Sequence, residues 1–286
     1  MTGLFIALIG VALLIVAVRL WHRDRDRSDQ PDEAALPDAP LTPEIWEPIL
    51  QERFLLFRWL PAELRPRLHE RIADFLADKR FEACGGLERV TDEMRVLIAA
   101  QACLLLVGRP QDPVFPRLRS ILVYPSAFRD RGRRVFGLED GDDTEREIRL
   151  GESWHGSVIL AWDSVREGAA GSDDGVNVVM HEFAHQLDQA DGSVDGAPLL
   201  DRGADYTDWA EVLRRDYESL VHAANDPRAD PLLDPYGAED PAEFFAVATE
   251  TFFELSEALR DEHPDLYRKL SDFYGLDPAT WECDPR

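Results

Sequence analysis

Between Val178 and Asp188 the chain reads Val-Val-Met-His-Glu-Phe-Ala-His-Gln-Leu-Asp, and the two histidines four positions apart restrict what this segment can build. On a helix, residues i and i+4 project side by side. His181 and His185 can then offer their imidazoles to one zinc ion, with Glu182 beside the ion rather than on it. At about 100° per residue, Val176, Val179, Met180, Phe183 and Leu187 make one apolar face, while His181, His185 and Asp188 fall on the opposite one. Such a helix is tied to a core on one side and presents ligands on the other. The bare H-E-x-x-H pattern arises by chance in roughly one or two chains per hundred of this composition, so the amphipathic context carries the reading. The competing reading is an amphipathic helix with two solvated histidines.

Two histidines do not complete a catalytic zinc site, which typically has three protein ligands and an open position, often with a carboxylate as the third. Glu211, Glu218, Glu239, Glu243, Glu250 and Glu254 all lie downstream. Glu243 begins a strong helical pattern, but Asp240 as N-cap, Pro241 at the first helical position and Glu243 at the third also read as a capping box. Spacing alone places Glu243 only slightly ahead of Glu250. Asp188 can orient a ligand histidine from behind it, or be a solvated surface carboxylate.

The body around this helix is mainly helical with a small sheet, an α+β plan. Helical spacing runs from Pro43 to Val107, through Trp46, Leu50 and Phe54, then Leu68, Ile72 and Phe75. Met94 to Val107 is a nearly continuous apolar helix expected at the centre of the core. Ser120–Tyr124 and Ser157–Trp162 read as strands, the second either as an edge for extended substrate or as an ordinary interior strand, and the charged segment from Arg129 to Gly151 between them as an exposed loop or irregular hairpin. A glycine- and aspartate-rich turn over 168–175 precedes the histidine helix, expected over about 176–189. Further helices are expected at Trp209–Ala223 and Pro241–Leu259, separated by a long loop over 226–240.

From Leu4 to Val18 no residue is charged, and roughly eighteen apolar residues approach the thickness of a bilayer core. No basic leader precedes this run and no A-x-A site ends it, which favours an uncleaved anchor over a signal peptide. Arg19, Arg23, Arg25 and Arg27 follow it, and basic flanks stay in the cytoplasm. The expected organisation is therefore a transmembrane anchor at 1–22, a flexible linker at 23–43 and a body at 44–286. The body is expected to face the cytoplasm from the inner membrane, with a wholly cytoplasmic protein as the alternative. Three separated cysteines, Cys84, Cys103 and Cys283, form no metal knuckle or disulfide pattern and fit a reducing compartment. A net charge of −25 repels phosphate backbones and disfavours a nucleic-acid partner, so no nucleic acid is expected.

His181-Glu-Phe-Ala-His-Gln-Leu-Asp188, taken with Asp240-Pro-Ala-Glu-Phe-Phe-Ala-Val-Ala-Thr-Glu-Thr-Phe-Phe253, resembles the Mlc titration factor A family of bacterial zinc peptidases. Ile121–Pro125 and the segment from Gly151 to Trp162 match it as well. The resemblance implies a zincin-like metallopeptidase domain with one zinc ion, Glu243 as third ligand and aminopeptidase-like activity on a peptide or protein. Its enteric member implies a glucose-responsive transcriptional repressor as a further partner. The H-E-F-x-H-x-x-D run is also similar to the catalytic domain of anthrax lethal factor. There a tyrosine seven residues before the ligand glutamate assists catalysis, which falls on Tyr236.

Three functions follow from these residues. The first is a peptidase in which Glu182 takes a proton from a metal-activated water and Tyr236 donates to the oxyanion. The second is a regulator that sequesters a transcriptional repressor or another partner, with cleavage secondary. The third is a structural zinc protein, which would need no base at position 182.

Overall fold

The computed structural model describes residues 41–126, 128–130, 133–135, 156–171, 174–200 and 206–281. The expected anchor, nearly all of the linker, Gly151–Trp154 and Cys283 lie outside the described residues. No helix among the described residues is long and apolar enough to cross a membrane.

An apolar run with no polar face has to be surrounded, and the Met94 segment is. It follows α1 (Pro43–Arg53), α2 (Leu55–Trp59), α3 (Arg65–Asp78) and the short strand β1 (Arg80–Ala83), and forms α4 (Asp92–Leu104). Thr91 caps α4 by accepting from the Met94 N–H at 3.3 Å, and Asp92 and Glu93 in its first turn complement the helix dipole. From Val96 to Val107 every side chain is buried. Cys103 is one of them, as expected of a small hydrophobe, whereas Cys84 is only partly buried.

The sheet has the order β1-β2-β5, with β2 at Ser120–Tyr124 and β5 at Ser157–Ala161, and both pairings are parallel. Ile121 and Val123 on β2, and Val158 and Leu160 on β5, alternate into the core. A separate antiparallel ribbon joins β3 (Phe128–Asp130) to β4 (Arg133–Val135) at the start of the segment read as an exposed loop or irregular hairpin.

Three departures from the periodicity have physical causes. Strand β1 escaped notice because Arg80 and Glu82 stand exposed on an edge, where charge deters further pairing. Trp162 does not end β5 but begins α5 (Trp162–Ala170), whose helical pattern is obscured by Gly168. That glycine is a packing requirement: a Cβ there would sit 2.9 Å from Cγ of Asn177. The expected helix Pro241–Leu259 is two helices, α8 (Pro241–Glu254) and α9 (Ser256–Glu262), counted after α6 (Val178–Asp188) and α7 (Tyr206–Ala224). The Thr251 hydroxyl donates back to the Val247 carbonyl at 2.9 Å, a bond that bends helices, and Leu255 leaves helical geometry four residues later. The last α-helix among the described residues, α10 (Pro264–Tyr274), closes the core and is followed by a short 3₁₀ turn at Pro278–Thr280.

Behind α6 the packing is fixed by a buried lysine. Lys79 Nζ donates to the carbonyls of Phe115 at 2.7 Å and Leu118 at 3.0 Å, and pairs with Asp78. This holds Phe115 at φ 43°, a strained angle for an aromatic residue. The Phe115 ring meets Phe183 edge-on at 4.7 Å, and Phe75 meets Phe183 at 5.6 Å. Phe183 is the apolar member of the His-Glu-Phe-Ala-His run, so this cluster sets the depth of the helix that carries the histidines.

Candidate metal centre

Helix α6 starts where the Asn177 side-chain oxygen accepts from the Met180 N–H at 3.1 Å. Val179, Met180, Phe183 and Ala184 are fully buried, and His181, Glu182 and His185 are partly open on the other side. The two imidazoles lie 4.9 Å apart at 81° to each other. Helix α8 supplies the facing carboxylate. Asp240 caps it by accepting from the N–H groups of Ala242 and Glu243, which places Glu243 in the first turn, aimed at the histidines. The capping geometry and the approach to the histidines are therefore compatible, because capping uses the backbone of Glu243 and leaves its side chain free.

His181 Nε2, His185 Nε2 and Glu243 Oε2 form a triangle with edges of 3.2, 3.0 and 3.5 Å. Ligand atoms that each lie 2.0–2.1 Å from one tetrahedral zinc ion are about 3.4 Å apart, so the triangle is of the right size. The donor set fits a cation for a second reason. Two imidazole nitrogens and a carboxylate oxygen converge at distances where electron-rich atoms need a proton or a metal between them. The same three residues are the ones whose ligand atoms cluster among the described residues.

Electrostatics agrees with that demand for positive charge. Burial works against a charged His181, but the carboxylates of Glu250 and Glu243 outweigh it and hold its pKa well above the ordinary histidine value. Burial likewise opposes ionisation of Glu243, yet the hydrogen bonds from His181 and His185 keep its carboxyl well below the usual range. The Glu182 carboxylate makes no hydrogen bond among the described residues, and burial raises its pKa despite the two neighbouring histidines.

Tyr236 lies in a short 3₁₀ turn, Pro235–Ala238, fixed by Asp234, which accepts from the Tyr236 N–H at 2.8 Å. Its ring centroid is 5.8 Å from that of His181, and it remains 42% exposed, so it edges the site from the solvent side. Burial of the phenol, followed by the charges of Glu243, Glu239 and Glu182, pushes its pKa up, so it is a hydrogen-bond donor at neutral pH.

Asp188 is not the solvated surface carboxylate of one reading, and its charge acts on His185. It is fully buried rather than on the open face, and its Oδ2 accepts from the Gly196 N–H at 3.0 Å. Among the described residues neither Asp188 Oδ1 nor His185 Nδ1 has a hydrogen-bond partner, although both are buried. The carboxylate that does grip a histidine from behind is Glu250, 2.7 Å from His181 Nδ1. The sequence signal for it was its position seven residues after Glu243, which puts both glutamates on one face of α8.

A profile of the family described as glucose-regulated metallo-peptidase M90 matches residues 20–275. An uncharacterized protein of Synechocystis sp. is 41% identical over 250 residues, covering 86% of this chain and 88% of its own length. Mlc titration factor A of Cronobacter sakazakii is 30% identical over 84% of this chain and 89% of its own length. Mlc titration factor A of Pectobacterium atrosepticum is 35% identical over 56% of this chain and 60% of its own length.

Proposed function

The chain belongs to the glucose-regulated metallo-peptidase M90 family, and from that membership we propose that it is a zinc-dependent peptidase in which His181, His185 and Glu243 hold the ion. The observation that supports this is the triangle of ligand atoms with edges of 3.0–3.5 Å, drawn from two helices and directed at one point. Bound there, zinc supplies Lewis-acid chemistry, polarising a carbonyl and lowering the pKa of water to about 7. Glu182, whose carboxylate has no competing hydrogen bond among the described residues, takes the attacking water's proton and passes it to the leaving amine. Tyr236, protonated and beside His181, donates a hydrogen bond to the oxygen that gains charge. Asp188 buttresses the end of α6 through the 195–197 loop. Aminopeptidase-like specificity rests on the family resemblance and is read by cleavage of peptides with free against blocked amino termini. The test of the whole reading is metal removal. Dialysis against a chelator is expected to abolish peptide cleavage, and one equivalent of zinc to restore it; cleavage that persists without metal contradicts the proposal.

The name of the relatives, Mlc titration factor A, supports a second reading in which the protein also binds a transcriptional regulator. Capture of such a regulator by a variant unable to cleave peptides separates binding from hydrolysis.

The proposal extends to location. Residues 1–22 anchor the chain in the inner membrane with the body in the cytoplasm, and the family match begins at residue 20, after the uncharged run Leu4–Val18. The full chain is expected to stay with membranes after a carbonate wash; release into the supernatant contradicts the anchor.

A further inference from the structure

His181 meets carboxylates of one helix at both of its ring nitrogens. Glu243 Oε2 lies 3.0 Å from Nε2, and Glu250 Oε1 lies 2.7 Å from Nδ1. Glu250 is 5% exposed and its second oxygen is also committed, accepting the backbone N–H of Asn177 at 2.5 Å. Asn177 is the residue that caps α6, and its side-chain amide donates to Glu254 at 2.8 Å.

We infer that Glu250 is a positioning residue that keeps a proton on His181 Nδ1 and so reserves Nε2 for the metal. The inference rests on the metal centre proposed above. The backbone N–H of Asn177 is a donor under all conditions and always needs an acceptor. An ionised carboxylate has an acceptor for that donor and a second one for Nδ1–H. With Nδ1 donating to Glu250, the lone pair used for ligation is the one on Nε2, which already faces His185 and Glu243. The same carboxylate joins the start of α6 to α8, two turns beyond Glu243, and thereby fixes the register in which the histidine and its facing ligand meet.

Glutamine at this position keeps the shape and loses the double acceptor. Its amide oxygen can serve Asn177 or His181 but not both. The remaining donor then faces the amide NH₂, so ligation through Nε2 leaves two donors opposed in a buried space. Glu254 supplies the control, because its carboxylate accepts from the Asn177 side chain, whereas Glu250 meets the histidine ring itself.

The experiment uses the full chain and zinc alone. Competition with a chromophoric chelator measures affinity, and ¹⁵N-edited NMR of the histidines in the zinc-loaded protein identifies which His181 nitrogen carries the proton. Glu250→Gln is expected to weaken zinc binding 10–100-fold, whereas Glu254→Gln stays within about twofold of the parent. The parent is expected to show a protonated, hydrogen-bonded Nδ1. A His181 protonated at Nε2 in the loaded parent overturns the inference without need of any variant. Parental zinc affinity in folded Glu250→Gln overturns it alone, leaving the metal centre intact. A parent that takes up no zinc removes the metal centre and this inference with it.

Discussion

Replacing Glu182 with Gln is expected to slow peptide hydrolysis by about 10²–10⁴-fold while the protein retains its zinc. Glutamine fills the same volume but cannot accept a proton. The ligand triangle draws on His181, His185 and Glu243 alone, so metal uptake does not depend on the side chain at 182. Burial holds the Glu182 carboxyl above its ordinary range, which moves its proton affinity toward that of a base useful near neutral pH. Peptide turnover together with zinc content in the purified variant measures both halves of the expectation. Undiminished turnover rules out Glu182 as the base, and loss of zinc rules out its separation from the ligand set.

The largest effect on stability is expected at Gly108. The apolar run of α4 ends there, against the end of α10, and an added Cβ would lie 2.1 Å from the Tyr274 carbonyl oxygen and 2.6 Å from that of Gly275. Both obstacles are backbone, so no side-chain rotation relieves them. Gly275 is itself at φ 62°, the left-handed position that ends α10, and it cannot shift without undoing that cap. Arg109, next in sequence, ties the same corner together by donating to the carbonyls of Phe273 and Leu199. Gly108→Ala is therefore expected to cost about 3 kcal/mol, read as a fall in Tm of roughly 6–12 °C. A Tm within 1–2 °C of the parent, about 0.5 kcal/mol on the same scale, contradicts this close approach.

Periodicity and capping made the site helices legible in advance. The buried face of α6, the Asp240 cap of α8 and the alternating strands β2 and β5 are local patterns, written in contiguous residues and read from them. What was not legible depends on contacts between distant segments. Gly168 looks like a turn residue until Asn177 is packed against it, and then it is a helical glycine that makes room for a cap. Glu243 and Glu250 share a helix face, so spacing placed Glu243 only slightly ahead of Glu250 as a metal ligand. Only the fold shows that His181 stands between them, with one carboxylate at each ring nitrogen. Asp188 was only partly legible for a related reason. Helical phase put it beside the histidines, but the loop after α6 folds back, buries it and takes up one oxygen through Gly196.

Metal content tests the central claim most directly. Elemental analysis of the purified full chain is expected to find one zinc per chain, lost in His181→Ala, His185→Ala and Glu243→Ala. A Glu243→Ala protein that keeps its full equivalent of tightly held zinc would contradict the account.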